Sequence, residues 1–192
     1  MPSCLKNQVT HENSNKGLTL FSNCTHLYFH IFRFMKNTIL LLCVCAFISC
    51  AQQPASQATV IKRDGFQKML ETPKEKIQII NFWATWCAPC IEELPVFERL
   101  LANYGDEVEV TLISLDDVDK LDTKVNPFLT KENIQATVYL LDDPYAAEWI
   151  PMVDAHWDGA IPVTLIKSST KSRFYNQEFT YGELEKALKT FM

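Results

Sequence analysis

The carboxyl-terminal two thirds of this 192-residue sequence is short of cysteine and histidine. Of seven cysteines none follows Cys90, and His156 is the only histidine beyond that point. A structural zinc site needs about four ligands, mostly Cys and His. A zinc site at Cys87 and Cys90 is therefore the less favoured interpretation, and we predict no metal and no cofactor. With only these two cysteines after residue 60, a framework of structural disulfides is excluded there as well.

Other absences narrow the function further. The net charge of −5 leaves no basic face for nucleic acid. No phosphate-binding loop, nucleotide fingerprint or internal repeat is found. The apolar run at 38–49 has about a dozen residues, which is short for a membrane span. A hydrophobic content of 47% nevertheless suits a packed core, and one domain is the default for this length.

The sequence does contain a C-x-x-C motif between two periodic segments. Cys87 and Cys90 follow an apolar run at 77–82, predicted to be a buried strand, and precede an apolar-periodic helix. Free N–H groups and the dipole at a helix start stabilise the thiolate of Cys87, which makes it a nucleophile. Cys90 lies one turn further on, and Pro89 suits the first turn. This pattern predicts a redox-active cysteine pair.

Two segments resemble a known family. Residues 81–95 read Asn-Phe-Trp-Ala-Thr-Trp-Cys-Ala-Pro-Cys-Ile-Glu-Glu-Leu-Pro. This segment resembles the active-site segment of thioredoxin-like proteins, more narrowly of the TlpA/ResA type of bacterial envelopes. Residues 159–164 read Gly-Ala-Ile-Pro-Val-Thr. This segment is similar to the family's cis-proline loop, with Pro162 at the proline position. The resemblance implies an α/β thioredoxin-like fold over 60–192. Its central mixed sheet is flanked by helices, with an extra strand-helix insertion before the cis-proline.

The resemblance also implies roles for individual residues. Cys87 and Cys90 form the catalytic, redox-active disulfide, and the expected substrate-binding residues are Trp86, Ala88, Pro89, Ile161 and Pro162. Thioredoxins proper carry a buried aspartate where this chain has Asn81, and an amide cannot do acid–base work. The TlpA/ResA type uses a glutamate after the second cysteine, and Glu93 matches that position. Glu93 would then exchange the proton of Cys90. The alternative is that Glu93 is a solvated helix residue.

The amino-terminal part divides into shorter segments. A positive start and an apolar core at 35–49 are typical of a signal peptide. We therefore expect translation to start at Met35 and residues 1–34 to be an over-extended start. The alternative is a genuine long amino terminus with an uncleaved anchor.

The end of the signal segment resembles a bacterial lipobox. Residues 47–50 read Phe-Ile-Ser-Cys, and in that family the cysteine, here Cys50, is lipidated. Residues 50–59 are predicted to be a flexible tether. The alternative is an ordinary secretory signal that leaves a spare cysteine.

Further elements are predicted from apolar periodicity and capping signals. Thr180 and Glu183 form a capping box for the last helix. His156 and Trp157 lie just before the proline loop, where they either contact a bound partner or serve packing and surface roles. The remaining segments are helices at 89–104, 126–133 and 144–153, and strands at 108–115, 137–141, 162–167 and 173–179.

Together these observations predict a monomeric thiol-disulfide oxidoreductase of the bacterial cell envelope. A lipid on Cys50 would hold it to the inner or outer membrane, facing the periplasm. The Ala88-Pro89 dipeptide lacks the histidine of strong oxidants, which favours a reducing role. The family resemblance implies the same direction, toward reduction of disulfides in exported proteins, for example during cytochrome c maturation. A membrane thiol donor would supply the electrons. The alternatives are a thiol peroxidase of peroxiredoxin-like type and a redox-inert binding module on the same scaffold.

Overall fold

The structure is a computed structural model that describes residues 54–192. The predictions for 1–34, for the signal peptide at 35–49 and for lipidation at Cys50 lie outside the described residues, as does the first part of the tether. Within residues 54–192, none of the helices is both long and apolar enough to cross a membrane.

A six-stranded mixed sheet forms the centre of the domain. Its spatial order is β1-β4-β3-β2-β5-β6. The first four strands of that order are parallel, whereas β5 runs antiparallel to β2 and β6 antiparallel to β5. The predicted fold class is therefore confirmed. The strands are β1 (Thr59–Ile61), β2 (Ile77–Trp83), β3 (Val108–Ser114), β4 (Thr137–Leu141), β5 (Val163–Lys167) and β6 (Ser172–Tyr175).

Five α-helices connect and cover these strands. They are α1 (Arg63–Glu71), α2 (Ala88–Tyr104), α3 (Asn126–Lys131), α4 (Ala146–Val153) and α5 (Tyr181–Leu188). Strand β4 and helix α4 stand between β3 and the proline loop, which confirms the predicted insertion. The capping box at Thr180 and Glu183 is confirmed as well.

Helix α3 differs from its prediction at its start. A 3-10 turn (Val118–Lys120) and a π-helical turn (Leu121–Val125) run directly into it, because Val125 already has helical backbone angles. The Asn126 side chain therefore does not cap the helix. Its Oδ1 instead accepts a hydrogen bond from the Ala58 N–H at 2.9 Å.

Contacts with the domain begin slightly before its predicted boundary at residue 60. The Ser56 N–H donates to the Ile134 carbonyl at 2.7 Å, and β1 already begins at Thr59. The last residues of the predicted tether, 56–59, are therefore bound to the domain.

Strand β2 is buried along its whole length and separates two different packing layers. Successive side chains of a strand point to opposite faces. Ile79 and Trp83 pack with the two cysteines, on the side covered by α2 and α5, which we call the disulfide face. Ile80 and Phe82 pack on the opposite side, covered by α1 and α4. We call this second layer the aromatic face, after Phe66, Phe82, Trp149, Trp157 and Phe174.

Candidate active site

The cysteine pair lies where β2 gives way to α2. Cys87 is the N-cap residue, with an extended backbone (φ −94°, ψ 99°), and Pro89 occupies the first turn of the helix. The Cys87 N–H donates to the Ala84 carbonyl at 3.1 Å, which closes the turn that leads into the helix. The predicted strand-to-helix placement of the motif is confirmed.

Cys87 and Cys90 are joined by a disulfide, with their Cα atoms 5.3 Å apart. Their exposure differs: Cys87 is 6% exposed and Cys90 is fully buried. The neighbouring Ala88 and Pro89 are exposed, and Trp86 is 68% exposed. A partner that approaches this surface therefore reaches the sulfur of Cys87 first.

The proline loop lies against the first cysteine. The Ile161–Pro162 peptide bond is cis, as the resemblance implied. The Ile161 carbonyl oxygen is 3.8 Å from Cys87 Sγ. The fold thus brings together the two sequence segments, about 75 residues apart, that carried the resemblance.

Glu93 is buried beneath the cysteine pair, only 1% exposed. It follows Cys90 by three positions on α2, and residues so spaced are neighbours on a helix face. Its carboxylate accepts hydrogen bonds from Asn81 Nδ2 at 2.7 Å and from the Phe179 N–H at 3.0 Å. The idea that Glu93 is a solvated residue is wrong, whereas its neighbour Glu92 is exposed.

Burial raises the pKa of Glu93 to about 7, although the hydrogen bonds from Phe179 and Asn81 act in the opposite direction. Desolvation disfavours the charged carboxylate, and this effect prevails. A carboxyl group with a pKa near neutrality can both take up and release a proton at ordinary pH. The environment of Glu93 therefore suits proton exchange with the adjacent Cys90.

Asn81 holds this carboxyl group in place. Its Nδ2 is also 3.3 Å from the Val163 carbonyl oxygen and 3.2 Å from Thr164 Oγ1, so β5 fixes the amide while the amide donates to Glu93. Asn81 is itself fully buried. The acid–base group thus comes from α2, and β2 supplies a neutral donor.

Asp116 is a structural residue of the site that the sequence analysis did not identify. It is 3% exposed, and its carboxylate accepts hydrogen bonds from the Thr85 N–H at 2.9 Å and the Thr85 hydroxyl at 2.5 Å. The Ser114 hydroxyl donates to it at 2.8 Å. Asp116 thereby ties the turn before Cys87 to the end of β3. In sequence it stands in an acidic stretch, Asp116-Asp117-Val118-Asp119, which gave no sign that one member is buried.

The two residues before the proline loop have different surroundings. The side chain of His156 is 95% exposed, and its Nδ1 lies 3.3 Å from the Asp154 carboxylate. Trp157 is 5% exposed and packs on the aromatic face. Its Nε1–H donates to the Ala160 carbonyl at 2.7 Å.

An open groove of about 710 Å³ adjoins the cysteine motif. Trp86 and Phe128 form its apolar walls, and Lys120 and Lys124 lie along it. Across residues 54–192, His, Cys, Asp and Glu side chains form no group of three or more that could hold a metal ion.

A comparison with protein families decides where the chain belongs. Residues 51–167, more than half of the chain, match the model of the AhpC/TSA family. The chain belongs to the AhpC/TSA family.

Individual relatives of this AhpC/TSA chain agree with the thioredoxin-like resemblance. The thioredoxin-like protein YneN of Bacillus subtilis is 33% identical over 76 residues, 40% of this chain and 45% of the relative. The thiol-disulfide oxidoreductase ResA of Oceanobacillus iheyensis is 49% identical over 39 residues, 20% of each chain. The chain thus spans less than half the length of these curated relatives.

A solved structure confirms the fold. The thioredoxin-related protein from Neisseria meningitidis serogroup B superposes with a TM-score of 0.54 at 22% identity, covering 63% of this chain and 88% of that one. The predicted membership of the thioredoxin-like superfamily, with relatives of the ResA type, is confirmed.

Proposed function

We propose that this protein is a thiol-disulfide oxidoreductase that reduces disulfides in exported proteins. One observation carries the proposal. A disulfide at a helix start presents Cys87 to the surface, keeps Cys90 buried, and lies beside the loop of Ile161 and Pro162. Dithiol–disulfide exchange needs this division between a reachable attacking sulfur and a protected resolving sulfur.

In the first step of the proposed reaction, the reduced protein attacks its substrate. The Cys87 thiolate, stabilised by the start of α2, forms a bond to one sulfur of the substrate disulfide. The substrate S–S bond breaks, and its other sulfur leaves as a thiolate. The product is a mixed disulfide between Cys87 and the substrate.

In the second step, Cys90 resolves that mixed disulfide. The Glu93 carboxylate takes the proton of the Cys90 thiol, and the resulting thiolate attacks Cys87 Sγ. The Cys87–Cys90 bond forms, and the second substrate sulfur leaves as a thiolate that water protonates. Two electrons have passed to the substrate, and an external dithiol donor must return two electrons to the protein.

Substrate binding is assigned to the exposed surface around Cys87. Trp86, Ala88 and Pro89 supply contact area on one side of the sulfur. Ile161 and Pro162 supply a partly exposed backbone edge on the other side. An extended polypeptide pairs well with such an edge, because main-chain hydrogen bonds do not depend on its sequence.

The location and partners complete the proposal. The predicted signal peptide, the lipobox cysteine Cys50 and the match to ResA support a lipid-anchored position in the cell envelope. The partners would be exported proteins that carry thiols or disulfides, including apoproteins in cytochrome c maturation, and a membrane thiol donor. The protein would work as a monomer.

Insulin reduction with dithiothreitol as electron donor tests the activity directly. We expect catalytic precipitation of the insulin B chain by the mature protein and none by Cys87→Ser. Failure of the wild-type protein to accelerate the reaction would favour a redox-inert binding module instead.

A thiol peroxidase is the second candidate, because the matched family model is AhpC/TSA and peroxiredoxins share this fold. The buried Cys90, bonded to Cys87 one helical turn away, favours disulfide exchange over a single-cysteine peroxidase. Peroxide consumption by reduced Cys90→Ser separates the two. Turnover through Cys87 alone would support the peroxidase, and its absence would support the exchange reaction.

A further inference from the structure

The proline loop is held by a side chain from the aromatic face. Trp157 is buried, and its ring centroid lies 4.9 Å from that of Phe82, 5.5 Å from Trp149 and 6.0 Å from Phe174. From this fixed position its Nε1–H donates to the Ala160 carbonyl at 2.7 Å. A rigid aromatic cluster therefore anchors the loop one residue before Ile161.

Both backbone polar groups of Ala160 are bound by side chains that lie just before the loop. Its carbonyl accepts from Trp157, and its N–H donates to the Asp158 carboxylate at 3.0 Å. Gly159, which lies between Asp158 and Ala160, has φ +89°, a left-handed conformation that a residue with a Cβ adopts only with strain. The residue directly before Ile161 is thus fixed through both of its backbone polar groups.

The backbone of Ile161, the residue that follows Ala160, is left free. Among residues 54–192 its N–H has no hydrogen-bond acceptor and its carbonyl oxygen has no N–H or O–H donor. That carbonyl oxygen lies 3.8 Å from Cys87 Sγ. A free donor and acceptor beside the attacking sulfur are the groups that an extended partner chain would use.

We propose that Trp157 is a positioning residue for substrate binding: its indole N–H holds Ala160 so that the free backbone of Ile161 stays beside Cys87 and pairs with an extended segment of the disulfide-bearing polypeptide. This inference rests on the proposed function. It adds that substrate affinity depends on a side chain with 5% exposure that touches neither the substrate nor a reacting sulfur. A small disulfide, which has no backbone to pair, does not need this loop position.

Trp149 provides a matched control. It belongs to the same aromatic cluster, is also 5% exposed, and also donates its indole N–H to a backbone carbonyl, that of Asp143 at 3.2 Å. Its acceptor lies before α4 and outside the proline loop. Trp157→Phe and Trp149→Phe therefore remove the same atoms from the same core, but only the first releases the loop.

The test compares insulin with bis(2-hydroxyethyl) disulfide, which has no peptide group, as substrates of the two variants. For Trp157→Phe we expect the KM for insulin to rise about threefold to tenfold, because the variant loses the one hydrogen bond that positions the loop. We expect kcat with insulin and the rate constant with bis(2-hydroxyethyl) disulfide to stay unchanged. Trp149→Phe should match wild type with both substrates.

Other outcomes would overturn the inference. Equal KM values for the two variants would assign Trp157 to packing alone, and so would a loss with bis(2-hydroxyethyl) disulfide as large as that with insulin. If Trp157→Phe does not fold, an analogue of Trp157 with sulfur in place of the indole N–H preserves the ring, and the same comparison decides. Wild-type protein inert with both disulfides would instead refute the proposed function, and this inference with it.

Discussion

The two faces of the sheet use strand β2 for different purposes. On the disulfide face, Asn81 and Glu93 bring polar groups into a buried layer next to Cys90. On the aromatic face, Phe82 packs against the ring of Trp157, and the indole N–H of Trp157 donates a hydrogen bond to the proline loop. Alternation along one strand assigns Asn81 and Phe82, adjacent in sequence, to these separate layers.

The disulfide face therefore carries the proton chemistry, whereas the aromatic face fixes the position of the proline loop. The disulfide face tolerates a buried carboxyl group because two donors compensate part of its desolvation. The aromatic face is built from clustered apolar side chains, and it gives the loop a rigid support. We therefore expect changes on the disulfide face to alter rates and pH profiles, and changes on the aromatic face to alter substrate affinity.

The largest effect is expected at the cysteine pair. Cys87→Ser should lower insulin reduction by at least about 10³-fold, because the attacking sulfur is lost. Cys90→Ser should retain the attack and accumulate the mixed disulfide, visible as a covalent adduct on non-reducing gels. Turnover by Cys87→Ser, or an adduct through Cys90 in that variant, would contradict the assigned order of attack.

Glu93→Gln is expected to have the next largest effect. Without a base, resolution of the mixed disulfide should slow by roughly 10²-fold, the low end for general base catalysis. In wild type, the rate of resolution should rise with pH through about 7 as the carboxyl group deprotonates. Rapid-quench measurement of substrate release across pH 5–9 checks both points.

Glu92→Gln is the matched control for that experiment, because Glu92 is exposed and precedes Glu93 directly. It should keep the wild-type rate and pH profile. The same profile in wild type and Glu93→Gln would remove Glu93 from the mechanism.

Glu93 should also make the stability of the oxidised protein depend on pH. Its pKa rises from 4.5 to about 7 on folding, so the folded state binds the proton more tightly than the unfolded state. The free energy of unfolding should therefore fall as pH rises through this window, by at most about 1.4 kcal/mol per pH unit. Urea denaturation at a series of pH values measures the slope. In Glu93→Gln the slope should be shallower, and an unchanged slope would assign it to other groups.

Asp116→Ala should destabilise the protein by about 2 kcal/mol, because it leaves the Thr85 and Ser114 donors without their charged acceptor. Asp117→Ala, at an exposed neighbour whose side chain makes no capping hydrogen bond, should stay within about 0.5 kcal/mol of wild type. Denaturation midpoints in urea compare them. Equal effects would show that the turn before Cys87 does not depend on Asp116.

The smallest effect in this series is the change in KM expected for Trp157→Phe.

Local signals in the sequence predicted much of the disulfide face. The C-x-x-C motif, the cis-proline at Pro162 and the strand at 137–141 all agree with the structure. These features follow from short-range patterns or from a resemblance carried by contiguous residues. The sequence does not decide whether Glu93 is buried, because helical periodicity alone does not show how deep a residue lies.

The features that escaped prediction depend on contacts distant in sequence. Asp116 meets Thr85 only because β2 and β3 are neighbours in the sheet. The strand predicted at 173–179 ends at Tyr175, and the Phe179 N–H donates instead to the buried Glu93 carboxylate. Likewise Trp157 acquires its role from a cluster of rings contributed by distant segments.

The most direct test of the proposed reductase is the reduction potential of the Cys87–Cys90 couple, measured by equilibration of the protein with glutathione or dithiothreitol buffers. We predict a value near or below about −250 mV, close to that of thioredoxin, as a dedicated reductant requires. A value near about −120 mV would identify an oxidant that introduces disulfides and would contradict the proposed direction of electron flow.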